Sequence, residues 1–394
     1  MQVFVNPSNI RFFAIEKQKN DTMSTQNCRK NTKSSEKFEV SEAFLRITEQ
    51  INPDEAPKTV SEAINFLVSQ LHINATDKKL KVYDLSADYI NGGIDFGGGR
   101  TMVQVCEALK EAAISSIAED IAVRQKVRAV LIAGPSSSGK TTFCKKLSYA
   151  LLQQGLKPLS MSLDDYYMRG DNVPKDIDGN PDWESIHALN LPLLQEHIGI
   201  LLRSGEVRLP RFDFMKGESV LTDRVLRMEQ DNVLLIEGIH ALNPLLLEGA
   251  NLSNDYFYKI YISALTIYRD KDGSVFPTTD NRLLRRIVRD SQFRNTNVQE
   301  TLRRWDSVRR GEEKWILPFQ ENADANINSS FQYEYCVLRQ LALPLLETVK
   351  PDEEAYPEAQ RLIRMLHKYH RIKVEYFPPF SLLREFLGGS GYEY

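Results

Sequence analysis

The chain has 394 residues, of which 42% are hydrophobic and 26% charged, an ordinary soluble composition with room for two or three domains. A net charge of -3 argues against nucleic acid or an anionic membrane as partner, and no run approaches the roughly 18 apolar residues of a membrane span. Cys28, Cys106, Cys144 and Cys336 show no C-x-x-C spacing, which excludes a zinc ribbon or a disulfide framework and points to a reducing, cytoplasmic setting.

Residues 1–39 read as a partly flexible N-terminal segment, because 17–37 contain almost no large apolar side chain. An accessory region, mostly helical, is expected over 40–124. Ala63, Phe66, Leu67 and Leu71 carry helical spacing there, and a helix is predicted from about Val103 to Arg124. Between them, "YINGGIDFGGGR" (Tyr89 to Arg100) is dense in glycine but lacks the lysine of a phosphate loop, so a tight loop is the expectation.

From Val127 onward short β runs alternate with helices, which predicts an α/β domain over 125–350 with a parallel sheet and helices on both faces. The candidate strands are Ala129 to Ala133, Pro158 to Leu163, Val233 to Ile236 and Lys259 to Ile262. Behind the first stands "GPSSSGKTT", Gly134 to Thr142, which matches G-x-x-x-x-G-K-[ST] between a strand and an amphipathic helix. Small residues let successive backbone N–H groups face a polyphosphate, and the helix N-terminus adds positive charge. Gly134, Ser136, Ser137, Ser138, Gly139, Lys140, Thr141 and Thr142 are therefore candidate nucleotide contacts, with the Thr141 hydroxyl a candidate Mg²⁺ ligand. Gly155 stands where a glycine would end that helix.

Ligands of open α/β sheets bind beyond the carboxyl ends of the strands, so partners of the loop are expected at those ends. One ends in "SLDDYY", Ser162 to Tyr167, and another in "LLIEGIH", Leu234 to His240. Phosphoryl transfer to an alcohol needs a carboxylate to accept the hydroxyl proton. Asp164 is the candidate base with Asp165 its local competitor, and Glu237 is the candidate second acid near Mg²⁺. Arg282, Arg285, Arg286, Arg289 and Arg294 form a cluster over an expected lid at about 280–312, able to clamp a phosphoryl group. The same cluster has two other readings, a solvated helix face with Asp280, Asp290 and Glu300 as ion-pair partners, or a nucleic-acid patch, which the net negative charge disfavours. His187 and His240 are possible substrate contacts, and 351–394 reads as a C-terminal helical extension whose Leu382, Leu383 and Phe386 have helical spacing.

These motifs, with "LPRFDF" and "RRIVRD", resemble the uridine kinase and phosphoribulokinase family of P-loop kinases. From about Lys126 to Ser390 the chain is most similar to the long bacterial-type uridine kinase-like proteins. That resemblance implies a P-loop NTPase fold and ATP- or GTP-dependent, Mg²⁺-assisted phosphorylation of a nucleoside 5′-hydroxyl, uridine or cytidine by default. It implies Asp164 as the catalytic aspartate, Lys140 and Thr141 as phosphate and Mg²⁺ contacts, Glu237 as the second acid, and Arg286 and Arg294 as lid arginines. Phe212 stands where the family has a tyrosine beside the nucleobase. Tyr167, Asp182, Glu184, His187, Asp213 and His240 complete the implied acceptor side, and a homo-oligomer is left open.

The chain departs from the family pattern at three places. Met215-Lys-Gly217 replaces a base-reading histidine, Arg294-Asn-Thr296 replaces R-G-R, and His187 aligns with a ribose-binding aspartate. A kinase for a sugar phosphate or vitamin precursor, and a non-catalytic nucleotide switch, are the alternatives.

Overall fold

The computed structural model describes residues 83–97, 99–213, 216–248, 252–270 and 274–393. The flexible segment expected at 17–37 and the helical spacing at 63–71 lie outside the described residues. Strand β1 (Tyr83–Ser86) leads into helix α1 (Ala87–Gly97) and helix α2 (Arg100–Val123). The glycine-dense stretch is thus helical rather than the expected tight loop. Ser86 caps its start by accepting from the Tyr89 N–H at 3.1 Å, and Tyr89, Ile90 and Ile94 are buried. That burial outweighs the roughly 1 kcal/mol that each helical glycine costs. Among the described residues Gly99, at φ +67°, breaks the backbone between the two helices.

Strand β2 (Ala129–Ala133) coincides with the predicted strand and is buried along its whole length, as befits a strand covered on both faces. Helix α3 (Lys140–Gln153) follows the phosphate loop, and Gly155 ends it at φ +80° in the left-handed region. Next come β3 (Lys157–Ser162), helix α4 (Leu191–Leu202), the hairpin β4 (Glu206–Asp213) and β5 (Glu218–Arg227), and β6 (Asn232–Glu237). Strand β7 (Phe257–Ser263) leads to β8 (Thr266–Arg269) and β9 (Val275–Phe276). Helices α5 (Thr278–Phe293) and α6 (Val298–Trp315) follow and pack on each other. Strand β10 (Ala325–Asn328), absent from the sequence reading, precedes helices α7 (Glu334–Leu346), α8 (Tyr356–Leu366) and α9 (Arg384–Leu387).

The central sheet is all parallel, with spatial order β10-β7-β2-β6-β3. Strand β2 has β6 on one side and β7 on the other, so the crevice at its carboxyl end is a topological switch point. Register aligns the strand ends: Ile132 of β2 lies opposite Glu237 of β6, and Glu237 opposite Ser162 of β3. The loop and both acidic strand ends therefore meet at one level. β1 pairs in parallel with β8, and α2 packs on α3. No described helix is long and apolar enough to cross a membrane.

Candidate active site at the phosphate loop

The loop geometry follows from its residue types. A Cβ on Gly134 would sit 1.9 Å from the Ile262 carbonyl oxygen, so only glycine passes there. Ser137 (φ +60°) and Gly139 (φ +88°) take left-handed conformations, which turn successive N–H groups toward one concavity. The Ser137 and Ser138 hydroxyls are buried without a hydrogen-bond partner. Lys140 bends back to donate to the Pro135 carbonyl at 3.1 Å. Burial lowers the pKa of its ammonium, while the carboxylates of Glu237, Asp164, Glu385 and Glu184 act in the opposite sense.

A loop whose N–H groups point inward turns carbonyls outward, and two of the expected clamp arginines serve those carbonyls. Arg282 donates to Ser136 O at 3.2 Å and forms a two-pronged ion pair with buried Glu312. Arg285 donates to Ser137 O at 3.2 Å, Ser138 O at 3.4 Å and Ser329 O at 2.9 Å. Both are buried behind the loop, which corrects their reading as phosphoryl clamps. Arg286 donates to the Ser136 hydroxyl at 3.1 Å, and Arg289 pairs with its neighbour Asp290. Arg294 follows the end of α5, 3.7 Å from Asp290, its pKa pushed down to about 10 first by burial and then by Arg289. The next residue, Asn295, takes φ +49°, a conformation asparagine tolerates where the family motif has glycine.

The acids separate by environment. The Asp165 carboxylate accepts from the Phe212 N–H at 3.3 Å, and its carbonyl accepts from the Ser219 hydroxyl. Asp165 therefore fastens the β4–β5 hairpin. Asp164, with its N–H on the Ser162 hydroxyl at 3.3 Å, is an electrostatic neighbour of Lys140, Glu237 and Arg294. Glu237 accepts from the Ser162 hydroxyl at 2.7 Å, and its pKa is pushed up to about 7 by burial and then by Asp164. Glu184 is likewise pushed up to about 7 by burial, against the pull of Arg286 and Lys140.

Tyr167, Trp183 and Phe212 meet edge to face, with ring centroids 5.8 to 6.3 Å apart. The Tyr167 hydroxyl donates to the Trp183 carbonyl at 3.0 Å. His240 is buried and neutral, its pKa pushed down to about 3 by burial, with backbone groups of Ser185, Trp315 and Glu184 acting in the opposite sense. Asp182 lies at the edge of this group as an electrostatic neighbour of Tyr167 and Glu184. Two sequence candidates stand apart from it. His187 is exposed with its ring against Trp315 at 5.5 Å, and Asp213 accepts from the Lys216 N–H at 3.2 Å as a turn residue. Trp183 carries no role in the sequence reading, although it stands between the acceptor-side candidates Asp182 and Glu184.

A phosphate loop at a switch point, with a lysine, two strand-end carboxylates and arginines converging on it, defines a P-loop phosphotransferase. The chain belongs to the phosphoribulokinase / uridine kinase family, whose profile matches residues 129–333. It is a kinase that uses ATP and transfers phosphate to an alcohol group. The uridine kinase of Lactobacillus johnsonii is 28% identical over 194 residues, 49% of this chain and 82% of that protein. The uridine kinase of Halobacterium salinarum is 29% identical over 197 residues, 50% of this chain and 77% of that protein. Among solved structures, a D-glycerate 3-kinase from Cryptococcus neoformans is similar at 16% identity with a TM-score of 0.30, covering 71% of this chain and 90% of that one.

Proposed function

We propose that the alcohol is the 5′-hydroxyl of a pyrimidine nucleoside, uridine or cytidine, phosphorylated by ATP with Mg²⁺ in the cytoplasm. The observation that carries this reading is the division of labour between Asp164 and Asp165. Asp165 is occupied in fastening the hairpin, while Asp164 stays beside Lys140 with the Tyr167–Trp183–Phe212 cluster next to it. Asp164 accepts the hydroxyl proton as the acceptor oxygen bonds to the γ-phosphorus and the bond to ADP breaks. Lys140, Arg286 and Arg294 balance the charge on the transferring group. The aromatic rings offer flat apolar surface to a base, and Glu184, half-buried at their edge, accepts hydrogen bonds from ribose hydroxyls.

The residues present fit a magnesium ion. Glu237 and Asp164 are neighbouring carboxylates, one of them buried, and such a pair is relieved by a divalent cation. The Glu237 carboxylate and the Thr141 hydroxyl are the hard oxygen donors that Mg²⁺ takes alongside substrate phosphates, with Asp164 beside them as the base. No cluster of three His, Cys, Asp or Glu side chains among the described residues would hold a metal without those phosphates. Bound there, the ion would spread the charge developing on the phosphoryl oxygens.

We also infer a catalytic domain over 125–350, preceded by an accessory region at 40–124 and followed by an extension at 351–394. The test of function is ADP release with Mg-ATP against a panel of nucleosides, small sugars and pantothenate, with Asp164→Asn beside it. Turnover with uridine or cytidine that the variant loses is the expected result. Turnover with a sugar or pantothenate alone would replace the nucleoside by that acceptor, and ATP binding without acceptor-dependent turnover would favour a nucleotide switch.

A further inference from the structure

The C-terminal segment 378–387, outside the stretch the family profile matches, is built against the phosphate loop. Leu382, Leu383 and Phe386 are fully buried, and Leu382 packs so closely on Gly139 that a Cβ there would lie 2.4 Å from it. The Phe386 ring sits 4.8 Å from the guanidinium of Arg285, the residue that holds the loop carbonyls. Ser381 donates its hydroxyl to Glu107 of α2. The backbone of the segment is thus anchored on both sides, while the Glu385 side chain is only half-buried.

One oxygen of the Glu385 carboxylate accepts from the Thr142 N–H at 3.1 Å and from the Thr142 hydroxyl at 2.7 Å. Gly139 supplies no side-chain cap to α3, so this carboxylate serves the first turn from 243 positions away. Those two donors belong to the motif read as the nucleotide's phosphate site. A carboxylate oxygen and a phosphate oxygen cannot share them, because each is anionic and each needs the same two protons.

We propose that Glu385 is an internal competitor for the donor nucleotide: its carboxylate stands in for a phosphate on Thr142 in the ligand-free kinase and swings out to solvent when the nucleotide binds. The inference rests on the P-loop being the nucleotide site. Leu382 and Phe386 stay in place during the exchange, so the loop keeps its shape and only one side chain moves. A negative charge at a helix N-terminus adds about 0.3 to 2 kcal/mol, which makes the exchange cost the nucleotide about two- to thirtyfold in affinity.

The experiment is calorimetric titration of the full chain with ADP, with and without Mg²⁺, for wild type, Glu385→Gln and Glu385→Ala, alongside thermal unfolding of each ligand-free protein. The expected result is a pair of opposite signs: both variants bind ADP about two- to thirtyfold more tightly, while their thermal midpoints fall because a cap is lost. Glutamine keeps an acceptor and loses the charge, so it carries the measurement if the alanine variant folds poorly. ADP binding that is unchanged or weaker in both variants, with wild type binding normally, would overturn the proposal and make Glu385 a supporting cap. Failure of all three proteins to bind ADP would instead bring down the P-loop reading, and the proposal with it.

Discussion

Arg285 grips both carboxylate oxygens of Glu334, and neither side chain is exposed to solvent. The pair links α5 to α7 directly behind the phosphate loop, with the remaining guanidinium hydrogens on the carbonyls of Ser137, Ser138 and Ser329. Removing the cation leaves the buried Glu334 carboxylate with the Phe331 N–H but no counter-charge from α5, and takes a donor from three carbonyls. Arg285→Met is expected to cost about 3–5 kcal/mol, read by urea unfolding. Arg285→Lys keeps the charge but not the planar fork, so it should lose part of that stability and weaken ADP binding as the loop relaxes. A variant as stable as wild type would show that the loop is held some other way.

Gly134 and Gly155 predict a contrast. Both are glycines flanking α3, yet a Cβ at Gly134 meets the Ile262 carbonyl at 1.9 Å, whereas one at Gly155 meets nothing within 4 Å. Gly134→Ala must push the loop off β7 and should abolish measurable ADP binding. Gly155→Ala pays only its left-handed backbone, roughly 1–2 kcal/mol, and should bind ADP as wild type does. Equal nucleotide affinity in the two variants would contradict the assignment of the loop.

The core of the fold was legible because its signals are local. Ala129 to Ala133 is a short apolar run ahead of a phosphate-loop motif, and strand, loop and helix all stand where periodicity put them. What escaped were features set by distant partners. Tyr89 to Gly97 reads as a loop from glycine propensity alone, and the burial of Tyr89, Ile90 and Ile94 overrides that propensity. Arg282 and Arg285 read as clamps because arginines at helical spacing look alike until Glu312 and Glu334 are seen buried against them. Glu385 carried no signal beyond lying among residues of helical spacing, since its partner Thr142 is far away in sequence.

Asp164 and Asp165 are neighbours with separable consequences. Asp164→Asn should lower kcat by about 10² to 10⁴, the usual worth of a general base, with the thermal midpoint and ADP affinity nearly unchanged. Asp165→Ala removes the acceptor of the Phe212 N–H and loosens the hairpin, so it should lower stability and raise the acceptor KM more than it lowers kcat. Steady-state kinetics with the active acceptor, run beside thermal unfolding, separate the two. A larger kcat loss from Asp165 would reverse the assignment of the base.

Glu237 gives the ligand-free protein a pH dependence whose sign is fixed. Its pKa is pushed up to about 7 from a model-peptide value near 4.5, and Glu184 behaves alike. Between those limits the folded chain binds more protons than the unfolded chain, so these two groups make stability fall as pH rises through the window. The penalty is absent below about pH 4.5 and complete above about pH 7. Glu237→Gln keeps an acceptor for the Ser162 hydroxyl and never ionises, so it should melt higher than wild type at pH 8, with the gap closing toward pH 5. Thermal midpoints of both proteins across that range decide it: a gap that stays constant, or widens in acid, would mean that Glu237 is not the group held protonated by burial beside Asp164.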